Sequence, residues 1–174
     1  SNSKLENILS DLMEIVLIRE GLLEKSEVDL SSLIKETLDA KETEQYINDQ
    51  IKLIFDIEVK EKIKTDVKLL RIILRNLFNN AIKYSKPDYK SAYISTSAKI
   101  KNKQLELIIS DNGIGIDSKL KPKVFNMFIR ATEKSTGTGL GLYITKNAVD
   151  KLNGTINIES KENTGTSVTL KIPV

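Results

Sequence analysis

The sequence contains no cysteine and no histidine. Without cysteine, neither a disulfide nor a thiolate metal site can form, which fits a reducing compartment. Without histidine, the chain has no imidazole that acts as a general base or a metal ligand. These absences also exclude a phosphorylated histidine within this chain.

Long apolar runs and strong net charge are lacking as well. No segment approaches the ~20 apolar residues that cross a bilayer, and no signal peptide is visible. The formal net charge is +3 with lysines spread along the chain, which favours a solvated surface over nucleic-acid binding. The 174 residues, 40% hydrophobic and 29% charged, are typical of one globular domain with a short appendage. Ser1 and Asn2 resemble an expression scar, so we expect a fragment of a longer protein.

Residues 3–24 predict one amphipathic helix. Its apolar residues recur at steps of three and four, nearly as in a coiled-coil seam. Two interpretations remain open: the helix packs on its own domain, or it binds a partner helix or a second copy. Its terminal position and the lack of a following hairpin partner favour the second. The stripe consists of Leu5, Ile8, Leu12, Ile15 and Leu22, widened by Leu9, Val16 and Leu23.

The rest of the chain alternates helix and strand patterns. After a polar break at residues 26–29, Asp29 or Ser31 caps a second helix, and the last helix is expected to end at Gly154. Strands are predicted at residues 52–59, 91–100, 104–111, 155–160 and 166–174. One mixed sheet of about five strands with three helices on one face is the economical packing, which is an α+β fold of the two-layer sandwich type.

A helix is also predicted from its cap Asp66 to Pro87. At 100° per residue, Asn76, Asn80 and Lys83 cluster at the edge of its apolar face. Asparagine is a poor helix former, so a merely polar surface does not require it here. This pattern predicts a ligand role for Asn80.

Two glycine clusters, at residues 111–115 and 137–141, hold five of the chain's eight glycines. Glycine lets the backbone approach a ligand closely, and a helix start binds anions, so we expect a nucleotide to be held here. The sequence has no GxxxxGK[ST] motif, no strand directly before GTGLGL and no protein-kinase signature set. A P-loop, a dinucleotide-binding fingerprint and the protein-kinase fold are therefore excluded or disfavoured.

Taken in order, these motifs resemble the ATP-binding catalytic domain of sensor histidine kinases, in the GHKL superfamily with its Bergerat fold. The resemblance covers residues 25–174. Residues 76–85 resemble the N box, 111–116 the first glycine box, 124–130 the F box and 137–142 the second glycine box. It implies two domains: residues 1–25 are the second helix of a truncated dimerisation hairpin, and residues 26–174 are the ATP-binding domain.

The resemblance implies a base-binding role for the first glycine cluster. Asp111 would accept a hydrogen bond from the adenine amino group, above the close backbone of Gly113 and Gly115. Thr166 would contact adenine through a water. Tyr84 would lie against the base or ribose, or else belong to the core.

The resemblance further implies a phosphate-binding role for the second cluster. Asn80 would offer an oxygen to Mg²⁺, Asn76 would support that site, and Lys83 would contact phosphate. Residues 116–136 would form a lid over ATP, and Arg130 would reach the γ-phosphate. The other residues implied to bind the nucleotide are Ile116, Phe128, Gly137, Thr138, Gly139, Leu140, Gly141 and Leu142, with Phe125 and Phe128 anchoring the lid.

Asn76 separates the possible activities. GHKL ATPases and anti-sigma-type serine kinases carry a glutamate at this position as general base, and asparagine cannot take a proton. The resemblance therefore implies a protein-histidine kinase that uses ATP·Mg²⁺, yields ADP and phosphorylates a histidine on the dimerisation helix that is absent here. A serine kinase or ATPase is the alternative, and a degenerate nucleotide-sensing scaffold is a third.

The implied partners follow from the same resemblance. They are the phosphoacceptor helix of the kinase dimer, a response regulator and a second copy bound through residues 3–24, with no nucleic acid. The implied location is cytoplasmic, in a parent protein that is either free or anchored in the inner membrane.

Overall fold

The computed structural model describes residues 2–40, 51–86, 91–132, 135 and 137–174. Within these ranges the helices are α1 (Asn2–Glu20), α2 (Leu30–Asp39), α3 (Val67–Lys83) and α4 (Gly141–Lys151), with a single 3-10 turn at Lys121–Lys123. The strands are β1 (Lys25–Val28), β2 (Lys52–Ile57), β3 (Ile63–Asp66), β4 (Tyr93–Lys101), β5 (Gln104–Asp111), β6 (Thr155–Lys161) and β7 (Gly165–Pro173).

Five strands form one mixed sheet in the order β2-β4-β5-β7-β6, in which only the β2–β4 pair is parallel. Alternate residues of the central strands point to one face and are buried, as the two-residue period of a strand requires. The helices pack on this face, so the predicted α+β two-layer sandwich is confirmed. The buried strand residues include Ile94, Ala98, Leu105, Leu107, Ile109, Val168, Leu170 and Ile172.

Helix α3 is the central helix of the packed layer. Asp66 caps it as predicted, because its Oδ1 accepts hydrogen bonds from the backbone N–H groups of Lys68 and Leu69, at 3.0 and 3.1 Å. Leu70, Ile73, Leu74, Leu77 and Phe78 are buried. Asn76 and Asn80 lie at the edge of this apolar face, beside the start of α4.

The sequence analysis missed a second, two-stranded sheet. Residues 26–29 were expected to be a polar break, but β1 occupies most of this segment and pairs antiparallel with β3, which was not predicted either. Each strand has only four residues, so neither shows an alternation long enough to recognise. The two strands pair only because the chain folds back and brings β3 beside β1.

Two helix ends also differ from prediction. The first helix ends at Glu20 rather than at residue 24. At the end of α4, Asn153 and not Gly154 takes the left-handed conformation, with φ of 57°. The N–H groups of Asn153 and Gly154 donate to the carbonyls of Asp150 and Val149, which is a Schellman motif with asparagine in the usual glycine position.

Helix α1 presents two different faces. Ile15 and Ile18 are buried against the domain, so packing on its own domain is observed. A separate apolar strip stays exposed, and it consists of Leu5, Leu9, Leu12, Met13, Val16 and Leu17. None of the helices in the described ranges combines the length and apolarity that a membrane crossing requires.

Candidate nucleotide-binding site

A cavity of about 220 Å³ opens between α3, the ends of β5 and β7, the start of α4 and residues 116–131. Its apolar walls include Leu77, Ile109, Ile116, Val124, Ile158 and Val168. The polar lining residues fall into two groups. We call these the Asp111 end (Asp111, Gly115, Thr166) and the Asn80 end (Asn76, Asn80, Lys83, Gly137, Gly141).

Asp111 is the last residue of β5, and it lies opposite Thr166 of β7 in the register of the sheet. Its Oδ1 accepts a hydrogen bond of 2.9 Å from the backbone N–H of Gly113. Burial raises the pKa of Asp111 from 3.8 to about 6, although the backbone N–H groups of Gly113 and Thr166 act in the opposite direction. The site therefore holds a desolvated carboxylate at the end of an apolar slot.

Glycine is required around this carboxylate by close backbone approach. A Cβ on Gly113 would lie 2.3 Å from the carbonyl oxygen of Tyr84, and one on Gly115 would lie 2.1 Å from that of Lys161. Gly115 also has φ of 68°, which other residues rarely adopt. The loop after β5 is therefore pressed between the end of α3 and the β6–β7 turn.

Ser160 is a residue of this end that the sequence analysis did not identify. Its Oγ accepts a hydrogen bond of 2.9 Å from the backbone N–H of Ile116, and it lies 2.8 Å from Thr166 Oγ1 and 3.0 Å from the carbonyl oxygen of Gly165. A single serine between charged residues in a strand gives no sequence signal. It ties the first glycine cluster to the turn between β6 and β7.

Two asparagine side chains of α3 lie at the Asn80 end. Asn76 donates from Nδ2 to the carbonyl oxygen of Ile72 at 2.9 Å, which leaves its amide oxygen facing away from the helix backbone. A Cβ on Gly141 would lie 3.4 Å from Asn76 Oδ1, and 3.8 and 3.9 Å from Oδ1 and Nδ2 of Asn80. Two side-chain amides therefore converge on the first residue of α4.

The start of α4 and Lys83 complete this end. Lys83 Nζ lies so close to Gly137 that a Cβ there would be 2.2 Å from it. Thr138 Oγ1 accepts a hydrogen bond of 3.2 Å from the backbone N–H of Leu140. A lysine ammonium and the unpaired N–H groups of a helix start favour an anion.

The segment from residue 116 folds over the cavity from one side. Gly139 has φ of 77°, and a Cβ on it would lie 2.7 Å from the backbone of Phe128, so this glycine permits the segment to cross the second cluster. Tyr84 lines the cavity, and its hydroxyl lies 3.0 Å from Ser135 Oγ. Arg130 donates to the carbonyl oxygen of Ser135 at 3.1 Å.

The structure brings most of the predicted site residues to one cavity. Four of them do not line it: Gly113, Phe128, Arg130 and Leu140. Gly113 supports Asp111 from behind, Leu140 is fully buried in the core, and Phe128 is 54% exposed. The predicted roles of all these residues remain predictions. The predicted residues that line the cavity are Asn76, Asn80, Lys83, Tyr84, Asp111, Gly115, Ile116, Gly137, Thr138, Gly139, Gly141, Leu142 and Thr166.

Two polar residues of the cavity were not predicted. Asn79 lines it with a side-chain oxygen that is buried without a hydrogen-bond partner. Asp11 reaches it from α1, far away in the sequence, so no local motif could have identified it. In the described ranges, no three histidine, cysteine, aspartate or glutamate side chains come together as a metal site. A metal ion bound here would depend on amide oxygens and on oxygens of its ligand.

Comparisons with known proteins agree with this geometry. Residues 65–174 match the family model described as histidine kinase-, DNA gyrase B- and HSP90-like ATPase. Sensor protein CiaH of Streptococcus pneumoniae is 35% identical over 124 residues, which are 69% of this chain and 27% of CiaH. The sensor-like histidine kinase SenX3 of Mycolicibacterium smegmatis is 31% identical over 176 residues, which are 98% of this chain and 45% of SenX3. The chain thus spans less than half of either relative.

The fold is also found among solved structures. The histidine kinase AdeS of Acinetobacter baumannii superposes with a TM-score of 0.79 at 23% identity, over 97% of this chain and 78% of that one. At this identity the similarity shows the fold. The family match and the curated relatives show more, and the chain belongs to the family of histidine kinase-, DNA gyrase B- and HSP90-like ATPases, among the ATP-binding domains of sensor histidine kinases.

Proposed function

We propose that this domain binds ATP with Mg²⁺ and transfers the γ-phosphoryl group to a histidine on a dimerisation helix outside this chain, leaving ADP. One observation carries the proposal. One largely apolar cavity is lined both by a desolvated carboxylate and by two asparagine side-chain amides beside a helix start. These are complementary to a base that donates a hydrogen bond and to a phosphate chain with a hard cation.

The Asp111 end supplies base recognition. The ionised carboxylate accepts a hydrogen bond from the adenine amino group, and guanine presents a carbonyl oxygen at the corresponding position. Because Asp111 is desolvated and fixed by Gly113, a base without the donor leaves a buried acceptor unpaired. Leu77, Ile109 and Val168 bury the faces of the base.

The Asn80 end positions the phosphates. The side-chain amides of Asn80 and Asn76 would offer the oxygens that hold Mg²⁺. A Mg²⁺ ion held there would neutralise charge on the transferred phosphoryl group and on the ADP that leaves. Lys83 and the N–H groups at the start of α4 stabilise the remaining negative charge.

Asn76 favours transfer to histidine over hydrolysis. Its Nδ2 is engaged with the backbone of Ile72, and an amide cannot remove a proton from water or from a serine hydroxyl. A neutral imidazole nitrogen needs no such base, since its lone pair attacks the γ-phosphorus while the bond to the ADP oxygen breaks. Arg130 does not line the cavity in this structure and donates to the carbonyl oxygen of Ser135, so contact with the γ-phosphate requires its side chain to move.

The proposed partners are a second copy and a response regulator. The exposed strip of Leu5, Leu9, Leu12, Met13, Val16 and Leu17 on α1 supports a helical partner surface. The proposed cytoplasmic location follows from use of ATP, and the parent protein is free or anchored in a membrane.

Calorimetric titration and phosphotransfer test the function. We expect ADP and a non-hydrolysable ATP analogue to bind in the presence of Mg²⁺, and GTP to bind at least tenfold more weakly. Radiolabelled phosphate should appear on an added histidine-bearing helical hairpin and not on the same hairpin with histidine replaced by alanine. Rapid ATP hydrolysis by this chain alone would favour the ATPase alternative.

A further inference from the structure

Asp11 is an anionic residue at the anion-binding end of the cavity. It belongs to α1, outside the family match at residues 65–174. Its Oδ2 accepts a hydrogen bond of 2.6 Å from Thr138 Oγ1, and that hydroxyl also accepts from the N–H of Leu140 at the start of α4. Asp11 lines the same cavity as Asn76, Asn80 and Lys83.

The position of Asp11 is fixed because the C-terminal half of α1 is docked on the domain. Glu14 forms an ion pair with Arg75 of α3, and Arg19 donates to the hydroxyl of Tyr143 on α4. Ile15 and Ile18 are buried in the same interface. Asp11 thus lies one helical turn before the docked part of α1. Its carboxylate can therefore contact Thr138 only when α1 is docked.

The carboxylate opposes the charge of a polyphosphate in two ways. It places a negative charge where Lys83 and the start of α4 otherwise favour an anion. It also occupies the hydroxyl hydrogen of Thr138, which would otherwise be available to a phosphate oxygen. Adenosine carries no phosphate, so its affinity is not lowered in either of these ways.

We propose that Asp11 is a specificity-determining residue of this site, which weakens binding in proportion to the number of phosphates while α1 is docked. The inference rests on the proposed ATP site and adds a residue from the helix that the family match excludes. By reciprocity, a bound triphosphate weakens the docking of α1 by the same factor. Helix position and nucleotide occupancy are then coupled through one carboxylate.

The decisive variant is Asp11→Asn, which removes the charge but keeps an amide oxygen that can accept from Thr138. Affinities for adenosine, ADP and adenylyl imidodiphosphate, a non-hydrolysable ATP analogue, are measured by calorimetry with Mg²⁺. We expect the variant to bind the triphosphate analogue about tenfold more tightly and ADP about threefold more tightly, with adenosine unchanged. The gain should shrink in 0.5 M salt because of screening.

Glu6→Gln is the matched control, since Glu6 is exposed on the same helix and the change in net charge is identical. Its affinities should equal those of the unaltered protein. Asp11→Ala is the second variant, and circular dichroism verifies that both variants fold. Asp11→Ala should bind the triphosphate analogue at least as tightly as Asp11→Asn does.

Other outcomes separate the alternatives. Equal affinity of Asp11→Asn and the unaltered protein for all three ligands would overturn the inference while leaving the ATP site intact. Weaker binding that appears only with Mg²⁺ would identify Asp11 as a metal ligand and also overturn it. If the unaltered protein binds none of the three, the proposed function fails and the inference fails with it.

Discussion

The Asp111 end of the cavity is enclosed by backbone, whereas the Asn80 end is enclosed by side chains. At the first end, the glycines meet carbonyl groups of Tyr84 and Lys161 and the backbone of Asp111 at distances that leave no room for a Cβ. At the second end, Gly137 faces the flexible tip of Lys83 and Gly141 faces asparagine amides, and only Gly139 between them meets backbone, that of Phe128. Close packing of backbone resists adjustment, while long side chains can move.

This difference suggests a division of tasks. Under the proposed function, the rigid end selects one base by shape and by a fixed acceptor, and the adjustable end accommodates phosphate groups that change during the reaction. Asp11 belongs to the adjustable end, because it lies on a separate helix, α1. The effects of substitutions at the two ends should therefore differ in kind as well as in magnitude.

Matched glycine substitutions give the largest expected contrast. Gly115→Ala introduces a Cβ against backbone at a positive φ, so we expect it to lower the free energy of unfolding by about 2–4 kcal/mol and to abolish nucleotide binding. Gly137→Ala needs only Lys83 to move, and it should cost less than about 1 kcal/mol. Urea denaturation measures both. Equal losses would contradict the contrast between a rigid and an adjustable end.

The carboxylate at the rigid end should control base recognition. Asp111→Asn places an amide where an ionised acceptor is expected, and we expect the affinity for ADP to fall about 30- to 100-fold, with discrimination against GDP reduced. Calorimetry with both nucleotides measures this. Asp56→Asn, at an exposed position of β2, is the control and should change nothing. An unchanged affinity in Asp111→Asn would remove Asp111 from the base site.

The asparagine at the adjustable end should control the dependence on metal. Asn80→Ala removes one of the two amide oxygens near Gly141, so we expect about tenfold weaker binding of ATP with Mg²⁺. With EDTA present, the variant and the unaltered protein should bind alike. Asn157→Ala, at an exposed position of β6, serves as control. A loss of equal size in EDTA would assign Asn80 to the nucleotide rather than to the metal.

Acidification should have two opposite effects at the rigid end: it should stabilise the free protein and weaken nucleotide binding. Because burial raises the pKa of Asp111 to about 6, the ionised carboxylate destabilises the free protein above pH 6. This cost fades as the pH falls from about 6 towards the ordinary value of 3.8. Stability relative to Asp111→Asn should therefore rise on acidification across this window.

Nucleotide affinity should move the other way, because protonation removes the ionised acceptor. At pH 5.5 we expect about fourfold weaker ADP binding than at neutral pH, from the fraction of Asp111 that is protonated. Asp111→Asn should lack this dependence, and calorimetry at several pH values measures it. A pH profile shared by both proteins would locate the titrating group elsewhere.

Much of the fold could be predicted because its long elements carry clear periodicity. Strand β5 has the predicted bounds, and Asp66 caps α3 as expected. The short strands β1 and β3 and the asparagine that ends α4 were missed. Four residues show too little pattern. Glycine at position 154 has a different use, because a Cβ there would lie 2.6 Å from the carbonyl oxygen of Lys171 on a distant strand.

The sequence alone indicated most residues of the candidate site. Asn76, Asn80, Asp111 and the glycine clusters could be identified because they stand in short contiguous motifs, and most of them line one cavity. Only the tertiary structure decided how α1 is used. Asp11 and Thr138 come from distant segments, and nothing local in a helix indicates which of its faces docks on the domain. The contact between Asp11 and Thr138 depends on where Ile15 and Ile18 are buried. The sequence supplies the two residues, and the fold brings them together.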